Sequence, residues 1–304
     1  AEHLMRNADV AMYEAKQAGK GRYQSFDPRM HTAVLERQHM KADLQRAIDQ
    51  SEFVVYYQPI VELQGGRIVG AEALVRWAHP QKGLVRPRDF LSVAEESGSL
   101  YEIDKFVLTE ALRQTAVWRQ QHGAARDFKI SVNVSPAHLQ QSALVADVHK
   151  LLQDFCLPGE ALTLEITETA LLKYSRTLLE RLEGLDALGV GLALDDFGTG
   201  FSSLAHLHQL PIRILKVDRS FVDGVIERDR GRALAHAINL LGSKLGLITV
   251  AEGVEKLEQV QLLTEFGCSW GQGYFFARPQ PAHALDDMLK VGFLEGHDFA
   301  EAAT

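Results

Sequence analysis

Eight short apolar runs punctuate residues 53–276, and most of the gaps between them carry helical spacing. The runs are 53–57, 68–75, 128–134, 162–167, 190–194, 212–217, 247–251 and 270–276. Helical periodicity marks 87–97, 103–122, 136–155, 170–188, 230–244 and 255–266. Strands that alternate with helices become parallel neighbours, because each helix carries the chain back to the same starting edge. Sustained over about 240 residues, the pattern predicts an α/β chain closed into a (β/α) barrel rather than an open sheet. The first two runs depart from the rule. They are joined only by Leu63-Gln64-Gly65-Gly66-Arg67, too short for a helix, so an antiparallel hairpin is predicted at the start of the barrel.

Ahead of the barrel, residues 3–17 place Leu4, Ala8, Ala11, Met12 and Ala15 at helical spacing. Gly19-Lys20-Gly21 ends that helix, 22–26 reads as a short strand, and Asp27-Pro28 breaks the chain before a polar connector helix at 29–50. The chain has 304 residues, 46% of them hydrophobic, enough to bury a core without covalent staples. Its two cysteines, Cys156 and Cys268, exclude a disulfide framework and point to a reducing compartment. A formal net charge of −8 argues against a non-specific grip on nucleic acid, but leaves room for a small anion if cations are gathered locally. The apolar stretch 233–250 is interrupted by His236, Asn239 and Lys244, so it reads as a helix running into a strand and not as a membrane span. No signal-peptide pattern opens the chain. It begins Ala-Glu-His without methionine, as expected of a piece of something longer whose transmembrane or sensory segments would lie outside it.

Barrels of this type carry their chemistry where strands end. Here Glu72, Asn133, Glu165, Asp195 with Asp196, Lys216 with Asp218, Glu252 and Gln272 stand in or just after nearly every apolar run. Each has an ordinary explanation when taken alone. Asp195-Asp196-Phe197-Gly198-Thr199-Gly200 is a plausible turn, Lys216 a solvated charge, and Asn133 and Gln272 capping groups. Oxygen donors at so many strand ends make that explanation give way. Carboxylates packed together without a cation would repel, and some would be forced to protonate. A divalent ion removes that cost, and a donor set of Glu, Asp and an Asn amide suits Mg²⁺ or Mn²⁺ rather than zinc. An aspartate bridging two ions roughly 3.5–4 Å apart would make a two-metal site able to cleave a phosphodiester.

The motifs in their order resemble the EAL phosphodiesterase family from about Lys41 to Leu289. They are Tyr56-Tyr57-Gln58-Pro59-Ile60, Glu72-Ala73-Leu74-Val75-Arg76-Trp77, Ser131-Val132-Asn133-Val134-Ser135, Leu164-Glu165-Ile166-Thr167-Glu168, Asp195 through Ser203, Leu215-Lys216-Val217-Asp218, Val250 through Glu255, and Gly271-Gln272-Gly273-Tyr274. The resemblance implies a modified TIM (β/α)8 barrel with an antiparallel first strand. It implies an enzyme that opens cyclic di-GMP, a bacterial second messenger, to linear pGpG in the cytoplasm.

By the same resemblance, Glu72, Asn133, Glu165, Asp195, Asp196 and Glu252 ligate two Mg²⁺ or Mn²⁺ ions, with Asp195 bridging. Lys216 and Asp218 position the attacking water, and Glu72, Asp195 and Glu255 belong to the catalytic set. Glu255 and Gln272 support the metals. Gln58, Arg76, Asp218 and Gln272 face the substrate, and Glu168 anchors the loop 197–203. A homodimer is expected. Residues 1–27 resemble the tail of a GGDEF domain through Arg6-Asn7-Ala8-Asp9 and the residues up to Arg22. Residues 28–50 would then be a connector, 51–292 the barrel and 293–304 a tail. Two other readings stay open: a catalytically silent cyclic di-GMP receptor that signals to a protein partner, and a barrel hydrolase for a different phosphodiester.

Overall fold

The structure, a computed structural model, describes residues 2–17, 23–122, 125–171, 175–198, 210–227 and 229–292. They fall into two compact units, Ala1–Phe53 with Trp77–Leu100, and Val54–Arg76 with Tyr101–Thr304. Ten strands are present among the described residues: β1 (Phe53–Glu62), β2 (Ile68–His79), β3 (Gly83–Val85), β4 (Lys129–Asn133), β5 (Leu162–Thr167), β6 (Gly191–Phe197), β7 (Ile214–Val217), β8 (Ile248–Ala251), β9 (Trp270–Gly271) and β10 (Gln280–Pro281).

The larger unit is the expected α/β barrel. Its strands run in the order β1-β9-β8-β7-β6-β5-β4-β2, and a β1–β2 pairing closes the ring. From β2 round to β9 every neighbouring pair is parallel, whereas β1 is antiparallel to β9. The hairpin that inverts β1 closes with Glu62 donating its N–H to Arg67 O and Gly66 donating to Glu62 O. Gly66 takes φ 68°, a conformation that favours glycine.

Alternation along the strands separates a plug from a rim. Ile60, Ala193, Ile214 and Val250 form one buried cluster with Val69. Ala193, Ile214 and Val250 lie two residues before Asp195, Lys216 and Glu252, and in the inverted β1 Ile60 lies two residues after Gln58. Residues i and i+2 share a face of a strand, so the apolar plug sits one step below the ring of polar side chains. The plug supplies burial; the positions above it are left to function.

Some elements differ from the sequence reading. The run 270–276 is strand only at Trp270–Gly271, and β3 and β10 were not expected. The helix read at 136–155 is two, Pro136–Leu139 and Leu144–Asp154. The helices Arg219–Glu227 and Ala282–Val291 were not assigned either.

In the smaller unit, Asp27 caps the helix Pro28–Asp49. Its carboxylate accepts from the Arg29 N–H at 2.9 Å, with proline in the first turn. Trp77 packs edge-on against Phe90 and donates Nε1–H to Glu52 at 2.9 Å. The strand expected at 22–26 does not form in its described part, residues 23–26. Such a short segment needs a neighbouring edge, and among the described residues none pairs with it. Gly19-Lys20-Gly21 lies outside the described residues.

Candidate metal centre

Lys216, at the end of β7, is 2% exposed, yet it carries a charge. A buried ammonium needs partners, and four carboxylates carried by β2, β5, β6 and the residue after β8 supply them. Its Nζ lies 2.6 Å from Glu165 Oε2, 2.6 Å from Glu252 Oε1, 3.3 Å from Asp195 Oδ1 and 3.8 Å from Glu72 Oε2. Glu72 is steadied from the other side. Asn133 Nδ2 donates to its Oε1 at 2.6 Å, and Gln272 Nε2 donates to its Oε2 at 2.6 Å. Gln272 Nε2 also reaches Gln58 Oε1 at 3.1 Å, and Gln58 in turn donates to Ala277 O at 3.0 Å. A chain of amides thus ties β1, β2, β4 and the turn after β9 to one carboxylate.

The end of β6 solves a geometric problem. Consecutive residues of a strand point to opposite faces, so Asp195 and Asp196 should not serve one site. The β6–β7 register shifts between Leu194 and Phe197, and Asp196 adopts φ 56°. Such a bulge re-aims side chains, and aspartate tolerates this left-handed conformation better than most residues. The outcome is that ligand atoms of Asp195, Asp196 and Glu252 all lie within 4.8 Å of one another. Gly198, just beyond, donates its N–H to Glu168 Oε2 at 3.3 Å. The remainder of the loop 197–203, from residue 199 on, lies outside the described residues.

The electrostatics follow from the head count. Burial would lower Lys216, but Glu165, Glu252, Glu72 and Asp195 outweigh it and hold its pKa well above the usual lysine range. One ammonium cannot balance four carboxylates. Burial, with Glu72 and Asp195 adding to it, pushes Glu165 well above the usual carboxylate range despite Lys216. Burial, reinforced by Asp195 and Glu72, pushes Glu252 up to about 7. Asp196 is raised by burial, then by Asp195 and Asp218. Asp195 Oδ1 is buried without a hydrogen-bond partner among the described residues; its 3.3 Å approach to Nζ is a charge contact only. Surplus negative charge, an orphaned carboxylate oxygen and an all-oxygen donor set fit hard divalent cations.

The remaining expected site residues sit differently. Asp218 Oδ1 accepts from Ser220 N–H at 3.0 Å and Ser220 Oγ at 2.5 Å, opening the helix Arg219–Glu227. Glu255 Oε1 pairs with Arg219 Nη2 at 2.9 Å. Arg76 donates to Val75 O at 2.8 Å, and its guanidinium stands 5.6 Å from the Tyr56 ring centroid. Sequence reasoning passed over Arg219, which also pairs with Asp223 at 3.1 Å. It passed over Asp104 too, whose carboxyl accepts the Ser135 N–H at 3.0 Å two residues past Asn133. Burial pushes Asp104 up to about 6. The i,i+4 spacing of Arg219 and Asp223 was a usable signal; an acid within a helix, as Asp104 is, gave none.

Residues 41–279 match the EAL domain family. The chain is 41% identical over 282 residues to the bifunctional diguanylate cyclase/cyclic di-GMP phosphodiesterase MucR of Pseudomonas aeruginosa, covering 93% of this chain and 41% of that protein. It is 38% identical over 291 residues to the cyclic di-GMP phosphodiesterase NbdA of the same organism, covering 95% and 37%. The chain therefore spans less than half the length of these relatives. Among solved structures it resembles the PaMucR phosphodiesterase in complex with c-di-GMP, with TM-score 0.77, 40% identity, and coverage of 81% of this chain and 99% of that one.

Proposed function

Because the chain belongs to the EAL domain family, we propose that it is a phosphodiesterase that hydrolyses cyclic di-GMP to linear pGpG with two bound Mg²⁺ or Mn²⁺ ions. The observation that carries this reading is the buried ammonium of Lys216 ringed by four rim carboxylates. The likeness to phosphodiesterases named for cyclic di-GMP supports the substrate.

In this reading Glu72, Asn133, Glu165, Asp195, Asp196 and Glu252 would hold the ions. When bound, the ions supply Lewis acidity to a phosphate and acidify a water. The protein does the rest. Asn133 already spends its Nδ2 on Glu72, which leaves its amide oxygen as the donor toward a cation. Gln272, with its support from Gln58, fixes the rotamer of Glu72. The ammonium of Lys216 and the carboxylate of Asp218 hold the attacking water, and Arg76 clamps the phosphate. Gln58 and Gln272 border the substrate, and Glu255 steadies the rim through Arg219. Water adds to phosphorus as the bond to the 3′ oxygen breaks, which leaves a 5′ phosphate and a 3′ hydroxyl. Glu168 holds the start of the loop 197–203 through Gly198.

The same reading takes 1–27 as the end of a GGDEF domain, 28–50 as a connector, 51–292 as the phosphodiesterase, and 293–304 as a tail. It also expects a homodimer in the bacterial cytoplasm. Among the described residues no helix is long and apolar enough to cross a membrane.

The purified chain, incubated with Mn²⁺ and cyclic di-GMP, should yield pGpG by anion-exchange chromatography, and a chelator should stop it. No product with metal shown to be bound would end the enzyme claim. Cyclic di-GMP bound without turnover in Mg²⁺ or Mn²⁺ would make the chain a receptor.

A further inference from the structure

Glu252 belongs to two sets at once. Its Oε1 is 2.6 Å from Lys216 Nζ, and its carboxylate closes the trio with Asp195 and Asp196 whose ligand atoms lie within 4.8 Å of one another. Asp195 is shared in the same way, its Oδ1 lying 3.3 Å from Nζ. A cation entering the trio therefore meets two carboxylates already facing an ammonium. Two positive charges that share ligands repel, and the burial of Lys216 on its side of the shared carboxylates limits how far water damps that repulsion.

We propose that Lys216 is the resident cation of this cluster, and that divalent ions load by exchange with its ammonium. This rests on the metal-dependent reading above and adds a role for Lys216 before any substrate arrives. Without divalent ions, the ammonium is the positive charge that, among the described residues, stands within 4.0 Å of Glu72, Glu165, Asp195 and Glu252. It keeps these four acids from driving the rim apart. As ions take over Glu252 and Glu165, Lys216 gives up ion pairs, and its N–H donors become available to water and phosphate. Loading the metals thereby converts a structural counter-ion into a donor, and the cost of displacing it sets the metal affinity.

The test reads melting temperature and Mn²⁺ affinity and uses no cyclic dinucleotide, so failure of the substrate assignment leaves its result intact. In chelator, Lys216→Met should melt about 10 °C below the parent chain, because a buried charge cluster has lost its partner. Mn²⁺ should raise the melting temperature of the variant more than that of the parent. Calorimetric titration should give the variant a Mn²⁺ dissociation constant about tenfold lower. The double variant Lys216→Met/Glu165→Gln removes one charge of each sign and should recover part of the loss in chelator. Should the single variant not fold without metal, the Mn²⁺ affinity of the double variant against that of Glu165→Gln, which lacks the same carboxylate, carries the measurement. Mn²⁺ affinity in Lys216→Met equal to or weaker than the parent's would overturn the proposal. So would a double variant that melts no higher than the single one.

Discussion

Replacing Glu72 by alanine should lower the hydrolysis of cyclic di-GMP by on the order of 10³-fold while the fold persists. Glu72 joins three other groups of the rim. Asn133 and Gln272 each donate to it at 2.6 Å, and its Oε2 lies 3.8 Å from Lys216 Nζ. Removal leaves the buried Gln272 amide with Gln58 alone and frees the exposed Asn133 amide to water, a cost of about 1 kcal/mol. It also deletes one of four crowded negative charges, which acts in the opposite direction. The two effects oppose each other in stability but not in activity, where a ligand is lost and the amides that hold the rim lose their common target. Steady-state product formation beside a thermal melt separates the two. Activity within tenfold of the parent chain would mean that Glu72 does not hold a metal.

A large loss of stability is expected of Gly273→Ala. A Cβ there would stand 2.0 Å from Val254 O and 2.3 Å from Val254 N, and backbone cannot swing aside as a side-chain tip can. The same peptide is tied down on both sides: Val254 N–H donates to Gln272 O at 3.0 Å, and Phe275 N–H donates to Val254 O at 2.9 Å. Relief requires moving the turn that carries Gln272. Overpacking of this kind costs about 3 kcal/mol, which lowers the melting temperature by roughly 6–12 °C. Activity should fall with it, since Gln272 would leave Glu72. Gly267→Ala is the control. That glycine has a positive φ, 76°, which Gly273 does not, and nothing lies within 4 Å of its Cβ position. Only the conformational penalty of about 1–2 kcal/mol remains there. Equal melting of the two variants would contradict the packing argument.

The barrel was legible because its signal is local and repeated: apolar runs, helical spacing between them, and one linker too short for a helix. What could not be read depends on contacts made across the chain. The run 270–276 looks like a strand because Trp270, Tyr274, Phe275 and Phe276 are apolar and aromatic. Strand pairing stops at Gly271 because Gly273 must lie against the Val254 peptide. The helix Arg219–Glu227 was obscured by Gly224, a residue that argues against helix on propensity. It is there because the chain passes close: a Cβ on Gly224 would stand 3.3 Å from Gly231 Cα.

At the site, the acids after each strand were visible as residues, but their mutual arrangement was not. The pairing Asp195-Asp196 reads as a turn until the bulge and the 56° φ of Asp196 turn both toward Glu252. Lys216 reads as one more polar strand end. Its place at the centre of four carboxylates exists only once the ring is closed. Asp218 and Glu255 show the reverse: the resemblance groups them with the site, while the structure engages them with Ser220 and Arg219.

Anomalous diffraction from crystals grown in Mn²⁺, recorded at the manganese edge, bears most directly on the account. Two peaks should appear among Glu72, Asn133, Glu165, Asp195, Asp196 and Glu252, with Asp195 touching both. Crystals saturated with Mn²⁺ that show no peak there, with Lys216 still bound to Glu165 and Glu252, would contradict it.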